Sequence, residues 1–62
     1  MTDAVKINGE YPVKIEDIGA NGDGIARIND FVVFVKDVQK GEKLNIRIRF
    51  VKPNFAFGDR ID

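Results

Sequence analysis

An all-β fold, a small five-stranded antiparallel barrel, is predicted by three features of this 62-residue chain. Leu44, Ile46, Ile48 and Phe50 alternate with Lys43, Asn45, Arg47 and Arg49, the pattern of a strand with one face in a core. Turn-forming residues recur about every 8 to 12 residues. No segment spaces apolar residues at helical intervals over three turns. A sheet this small hides its edges best by curling on itself.

Residues 1–10 are polar, end in Asn8-Gly9-Glu10 and predict a flexible lead-in, with one domain over residues 11–62. Tyr11 to Glu16 alternates apolar and charged residues, and Pro12 suits the start of a strand. Gly19, Gly22 and Gly24 allow positive φ in a compact loop. Ile25–Ile28 and Phe31–Val35 form a hairpin through Asn29-Asp30, two residues that tolerate the left-handed region. A two-residue turn pairs Ile28 with Phe31 and Arg27 with Val32. Residues 36–42 form a polar connection, the alternating strand comes next, Pro53-Asn54 ends it, and Phe55 to Ile61 makes the last strand. Phe50 falls in the alternating core set as a structural ring.

Composition removes several function classes. There is no Cys, His or Ser, so the familiar nucleophile and base pairs are missing, as are the usual zinc, copper and iron ligand sets. Glu16 and Asp17 are adjacent, so on a strand they point to opposite faces. Asn21-Gly22-Asp23-Gly24 lacks the helix and the Gly-Lys-Ser/Thr element of a phosphate loop. It also lacks a closing glutamate: at the twelfth position counted from Asp17 stands Ile28. The chain is expected to be no enzyme and to use no metal or cofactor. Without a signal-like segment or a long apolar run, it is expected to be a cytoplasmic protein with no membrane contact and no small-molecule substrate.

Net charge is zero but unevenly placed. Residues 1–31 carry three cations against six carboxylates, and residues 32–62 carry seven against four. Lys43, Asn45, Arg47 and Arg49 share one strand face, about 6.6 to 6.8 Å apart, a spacing suited to successive phosphates or to a plain solvated face. Phe55 and Phe57 share a face opposite Ala56 and Gly58. Either the small pair turns inward and the rings form an outer stacking platform, or the rings fill the core. Phe31 and Phe34 have opposite parity, so both reach one surface only through a twist or bulge at the hairpin tip.

Four pieces in order bring a family into view. Gly22-Asp23-Gly24-Ile25-Ala26-Arg27-Ile28, Phe31-Val32-Val33-Phe34-Val35, Gly41-Glu42 before the basic strand, and Asn54-Phe55-Ala56-Phe57-Gly58 resemble the TRAM domain. The resemblance runs from about Val13 to Ile61. It implies an OB-like barrel of the kind appended to uridine methyltransferases and methylthiotransferases, where it holds RNA. Free-standing archaeal members of this length include cold-responsive RNA chaperones. Carried over by position, the RNA surface comprises Arg27, Phe31, Phe34, Phe55 and Phe57, with a bulge near Phe31. Charge placement adds Lys36, Arg47, Arg49 and Lys52. In place of a proline-containing loop after the Phe-Val strand, this chain has Lys36-Asp37-Val38-Gln39-Lys40.

The implied partner is RNA, single-stranded or loosely structured and bound with little sequence preference. Two other functions use the same surface: a protein-interaction module, and an RNA-holding accessory to a modifying enzyme acting in trans. The initial Met and the absence of a C-terminal linker favour an independent protein.

Overall fold

The computed structural model describes residues 5–61. Six strands form one curled sheet: β1 (Glu10–Lys14), β2 (Asp17–Ile18), β3 (Gly24–Ile28), β4 (Phe31–Val35), β5 (Lys43–Val51) and β6 (Phe55–Arg60). Their spatial order is β1-β5-β6-β4-β3-β2. The class is the expected all-β, OB-like one, with two differences in detail.

The first difference is the strand count. β1 covers most of the expected Tyr11–Glu16 strand, the chain bends at Ile15-Glu16, and β2 continues it two residues beyond the expected end. The Ile15 N–H donates to Glu42 O at 2.8 Å, while the next N–H, of Glu16, donates to Ile25 O at 2.8 Å. Successive amides thus bond to opposite sides, toward β5 and toward β3. The two sheet edges meet along one stretch of chain, giving a partly open barrel.

The second difference is strand direction. β4 and β6 run parallel, with Val32, Val33, Phe34 and Val35 opposite Phe55, Ala56, Phe57 and Gly58. Five strands around a ring cannot alternate up and down throughout, so one neighbouring pair must be parallel. The 36–42 connection crosses the barrel and places that pair at β4/β6.

The β3–β4 hairpin has the expected register, Ile28 with Phe31 and Arg27 with Val32. Asn29 and Asp30 have φ of 52° and 69°, the two positive values of a type I′ turn. Of the three loop glycines only Gly22 has positive φ, at 88°. Gly24 is needed for space: a Cβ there would lie 2.2 Å from Val38 Cγ2 and 3.1 Å from Ile15 Cγ2.

The core is the inner face of every long strand. Val13, Ile15, Ala26, Val33, Val35, Leu44, Ile46, Ile48 and Ala56 are buried, joined by Val5. Among the described residues no polar or charged residue is buried, so aliphatic burial supplies the main driving force. Of the expected flexible lead-in, residues 1–4 lie outside the described residues. Residues 5–9 are tied to the barrel instead: Val5 is 3% exposed, and Asn8 N–H and Gly9 O bond to Ile48 O and Ile48 N–H. In sequence this polar segment looks like a tail, but a turn closed by the Gly9 N–H on Lys6 O lays it along the edge of β5.

A bulge alters the far end of β5. Ile48 pairs with Gly58 and Phe50 with Phe57, leaving Arg49 as the extra residue. One added residue reverses the facing of every residue beyond it on the strand. Phe50, expected in the core, is therefore turned outward and is 44% exposed. Val51 takes the inward place opposite Ala56.

The 36–42 connection is fastened by Glu42. Its carboxylate accepts from Gln39 N–H at 3.0 Å and pairs with Arg60, whose guanidinium also donates to Asp37 O at 2.9 Å. The Gln39 bond, supported by Arg60, holds the Glu42 carboxyl below its ordinary value against the opposing effect of desolvation. A lowered carboxylate stabilises the fold fully above its unfolded-state value and loses that contribution as pH falls through its folded one. Thermal melts from about pH 6 to about pH 3 should therefore fall less steeply for Glu42→Gln than for wild type.

Candidate nucleic-acid interface

The outer face of β3, β4, β6 and β5 carries two side-chain rows set by register. Ile25, Phe34, Phe57 and Phe50 lie across four strands in one row, and Arg27, Val32 and Phe55 lie in the next. Ala56 and Gly58 turn inward and are buried, which puts Phe55 and Phe57 outside. A Cβ on Gly58 would stand 2.9 Å from Ile46 Cδ1, so a side chain there would have to displace buried Ile46.

Four rings form a continuous patch. Phe34 and Phe55 meet edge to face at 5.6 Å, and Phe55 and Phe57 do so at 5.4 Å. Phe34 and Phe57 are tilted at 5.7 Å, and Phe50 stacks beside Phe57 at 6.2 Å with 28° between planes. Lys52 Nζ sits 4.6 Å from the Phe50 ring centroid, close enough for a cation–π contact. A contiguous aromatic patch with a cation at its edge is the kind of surface that makes a candidate contact site.

The structure separates the other expected residues. Phe31 is on the same side of β4 as Val33 and Val35, half-buried and packed against the core. The β3–β4 register is regular, so there is no bulge near Phe31 to bring it beside Phe34; the bulge is in β5. Phe50 is the ring that sequence reasoning missed. Phe50-Val51 departs from the strict alternation of the rest of β5, and that was the available signal.

Three arginines of the set are engaged with carboxylates on the surface. Arg27 faces Glu16 at 3.7 Å, Arg47 bonds Glu10 at 2.8 Å, and Arg49 faces Asp59 at 3.6 Å. The partners are about half exposed, and such pairs are worth roughly 0–1 kcal/mol. The guanidiniums are held in place at little cost and are exchangeable onto a phosphate. Lys36 is exposed directly after β4, and neither it nor Lys52 has a carboxylate within 4.0 Å among the described residues. The described residues hold no cluster of three metal-ligating side chains, and no helix long and apolar enough to cross a membrane.

A partly open small barrel with an aromatic face and a cationic rim has the build of the nucleic-acid-binding barrel modules. The chain belongs to the TRAM domain family, which matches residues 4–61, and the TRAM domain is an RNA-binding domain. A small uncharacterized protein of Methanocaldococcus jannaschii is 54% identical over 57 residues, spanning 92% of this chain and 74% of that protein. The ribosomal RNA large subunit methyltransferase E of Methanosarcina barkeri is 49% identical over 59 residues, or 95% of this chain but 22% of the methyltransferase. The methyltransferases thus match through their TRAM part alone. The solution structure of a conserved Methanococcus maripaludis protein superposes with a TM-score of 0.92 at 48% identity, covering 98% of this chain and 87% of that one.

Proposed function

We propose that this protein binds single-stranded or loosely structured RNA with little sequence preference, and acts as an RNA chaperone without chemistry of its own. The observation that carries the proposal is the four-ring outer patch of Phe34, Phe50, Phe55 and Phe57 with Lys52 at its edge. Unpaired bases stack on such rings whatever their identity, each contributing about 1–3 kcal/mol. Bases inside a duplex are hidden from them. Arg27, Arg47, Arg49, Lys36 and Lys52 contact phosphates and release counterions, which adds affinity without selecting a sequence. Binding open RNA more tightly than paired RNA lowers the free energy of melted states, so misfolded helices exchange faster. Phe31 supports the platform from the core side. A cytoplasmic site of action suits this role.

A fluorophore–quencher RNA hairpin tests the chaperone step. Wild-type protein should speed its exchange with a complementary strand, and an unchanged rate at saturating protein would contradict the proposal. Phe50→Ala should keep the fold and weaken single-strand binding by about 1–3 kcal/mol, the share of one stacked base. The similarity to methyltransferase TRAM parts favours a second reading, an accessory that holds ribosomal RNA for a separate enzyme. That reading requires binding to prefer a ribosomal segment over unrelated single strands.

A further inference from the structure

A shallow groove lies at the seam where the sheet edges meet, away from the four rings. Buried Val13 and Leu44 floor it, and Lys14, Lys43, Arg27 and Asn45 surround it, with no carboxylate in its lining. Lys14 and Lys43 are direct cross-strand partners on β1 and β5, and both are exposed. Like charges directly opposite one another destabilise a sheet. Neither lysine has a carboxylate within 4.0 Å among the described residues, so no direct ion pair offsets the repulsion.

We infer that this groove binds a backbone phosphate of RNA, a second contact separate from the aromatic platform; the inference rests on the RNA-binding function proposed above. An anion between Lys14 and Lys43 turns their mutual repulsion into two attractions, and the Asn45 amide and Arg27 guanidinium add directed donors. The groove is open and flanked by strands, which suits a passing polymer backbone better than an enclosed small molecule. Arg27 joins the two surfaces: it lines the groove and also stands in the outer row with Val32 and Phe55. Two strand spacings, about 10 Å, separate β3 from β6. A strand stacked on Phe55 therefore passes Arg27 on its way to the groove.

The test is amide NMR with a single-stranded RNA of about a dozen nucleotides and, separately, with inorganic tripolyphosphate. Wild type should show RNA-induced shifts at residues 13–14 and 43–45 as well as at 55–57. Lys14→Gln/Lys43→Gln should bind the RNA roughly tenfold more weakly at low salt. Its log–log salt slope should fall by about 1.4, two charges at about 0.7 each for single strands, while shifts at 55–57 persist. Lys43→Glu places an opposite charge across from Lys14, so it should melt no lower than wild type yet lose the groove shifts. RNA shifts confined to 55–57, with unchanged affinity in the double variant, would overturn the groove and leave the proposed function standing. Groove shifts without shifts at 55–57 would overturn the stacking platform and support the groove. Groove shifts with tripolyphosphate but not with RNA would assign the site to free phosphates and overturn the backbone contact. No groove shifts with either ligand would also overturn it.

Discussion

Replacing Phe55 and Phe57 together by alanine is expected to reduce affinity for single-stranded RNA at least thirtyfold, roughly 2 kcal/mol or more for two lost stacking positions. These rings are the hub of the platform. Phe57 touches Phe34, Phe50 and Phe55, and Phe55 touches Phe34 and Phe57. Without them Phe34 and Phe50 stand on separate strands with nothing between. The fold should survive, because the inner face of β6 is supplied by Ala56 and Gly58, which the substitutions leave alone. Equilibrium binding together with a thermal melt checks both halves. A cooperative melt with lost binding is the expected pair of results.

Ile46→Ala should have the largest effect on stability. Ile46 is fully buried in the middle of β5, and its Cδ1 fills the space over the missing side chain of Gly58. Neither Gly58 nor Ala56 has atoms to move into the vacated volume. Substitutions of this kind cost about 2–5 kcal/mol, and a domain of this size has little to spare. At about 4–8 °C per kcal/mol, the melting temperature should drop by at least about 8 °C. Full unfolding at room temperature lies within the expected range. A variant melting within a few degrees of wild type would mean the core is not organised around β5.

Much of this architecture was legible in the residues. The alternation of β5 to Ile48, the Asn29-Asp30 turn with its register, and the small-residue face of β6 depend on local pattern, which a sequence displays directly. What escaped depended on closure or on one inserted residue. The bend at Ile15-Glu16 has no special residue to announce it; it exists because the first strand must reach both β5 and β3. The parallel β4/β6 pair results from the parity of a five-stranded ring, a property of the whole barrel that no segment carries. The outward turn of Phe50 comes from the bulge at Arg49, and strict alternation assigned that ring to the core. The inward placement of Phe31, by contrast, is what plain alternation along β4 gives; only the bulge implied by the resemblance would have turned it outward.

The candidate site was legible to a similar degree and for the same reason. Facing along β6 put Phe55 and Phe57 together on one face but left open which side it was; the family resemblance favoured the outside, where Ala56 and Gly58, turned inward, leave them, while the fourth ring needed the bulge. The basic row was visible, but its carboxylates were not. Glu10 reaches Arg47 through β1–β5 pairing, and Asp59 reaches Arg49 through β5–β6 pairing. Cross-strand neighbours are invisible until the strand order is known.

The most direct test of stacking plus phosphate contact is fluorescence anisotropy with a single-stranded RNA and its matched duplex, across a salt series. Binding to the single strand is expected to be tighter at every salt concentration, with affinity falling linearly on a log–log plot as salt rises. Equal or tighter binding to the duplex, or affinity indifferent to salt, would contradict that expectation.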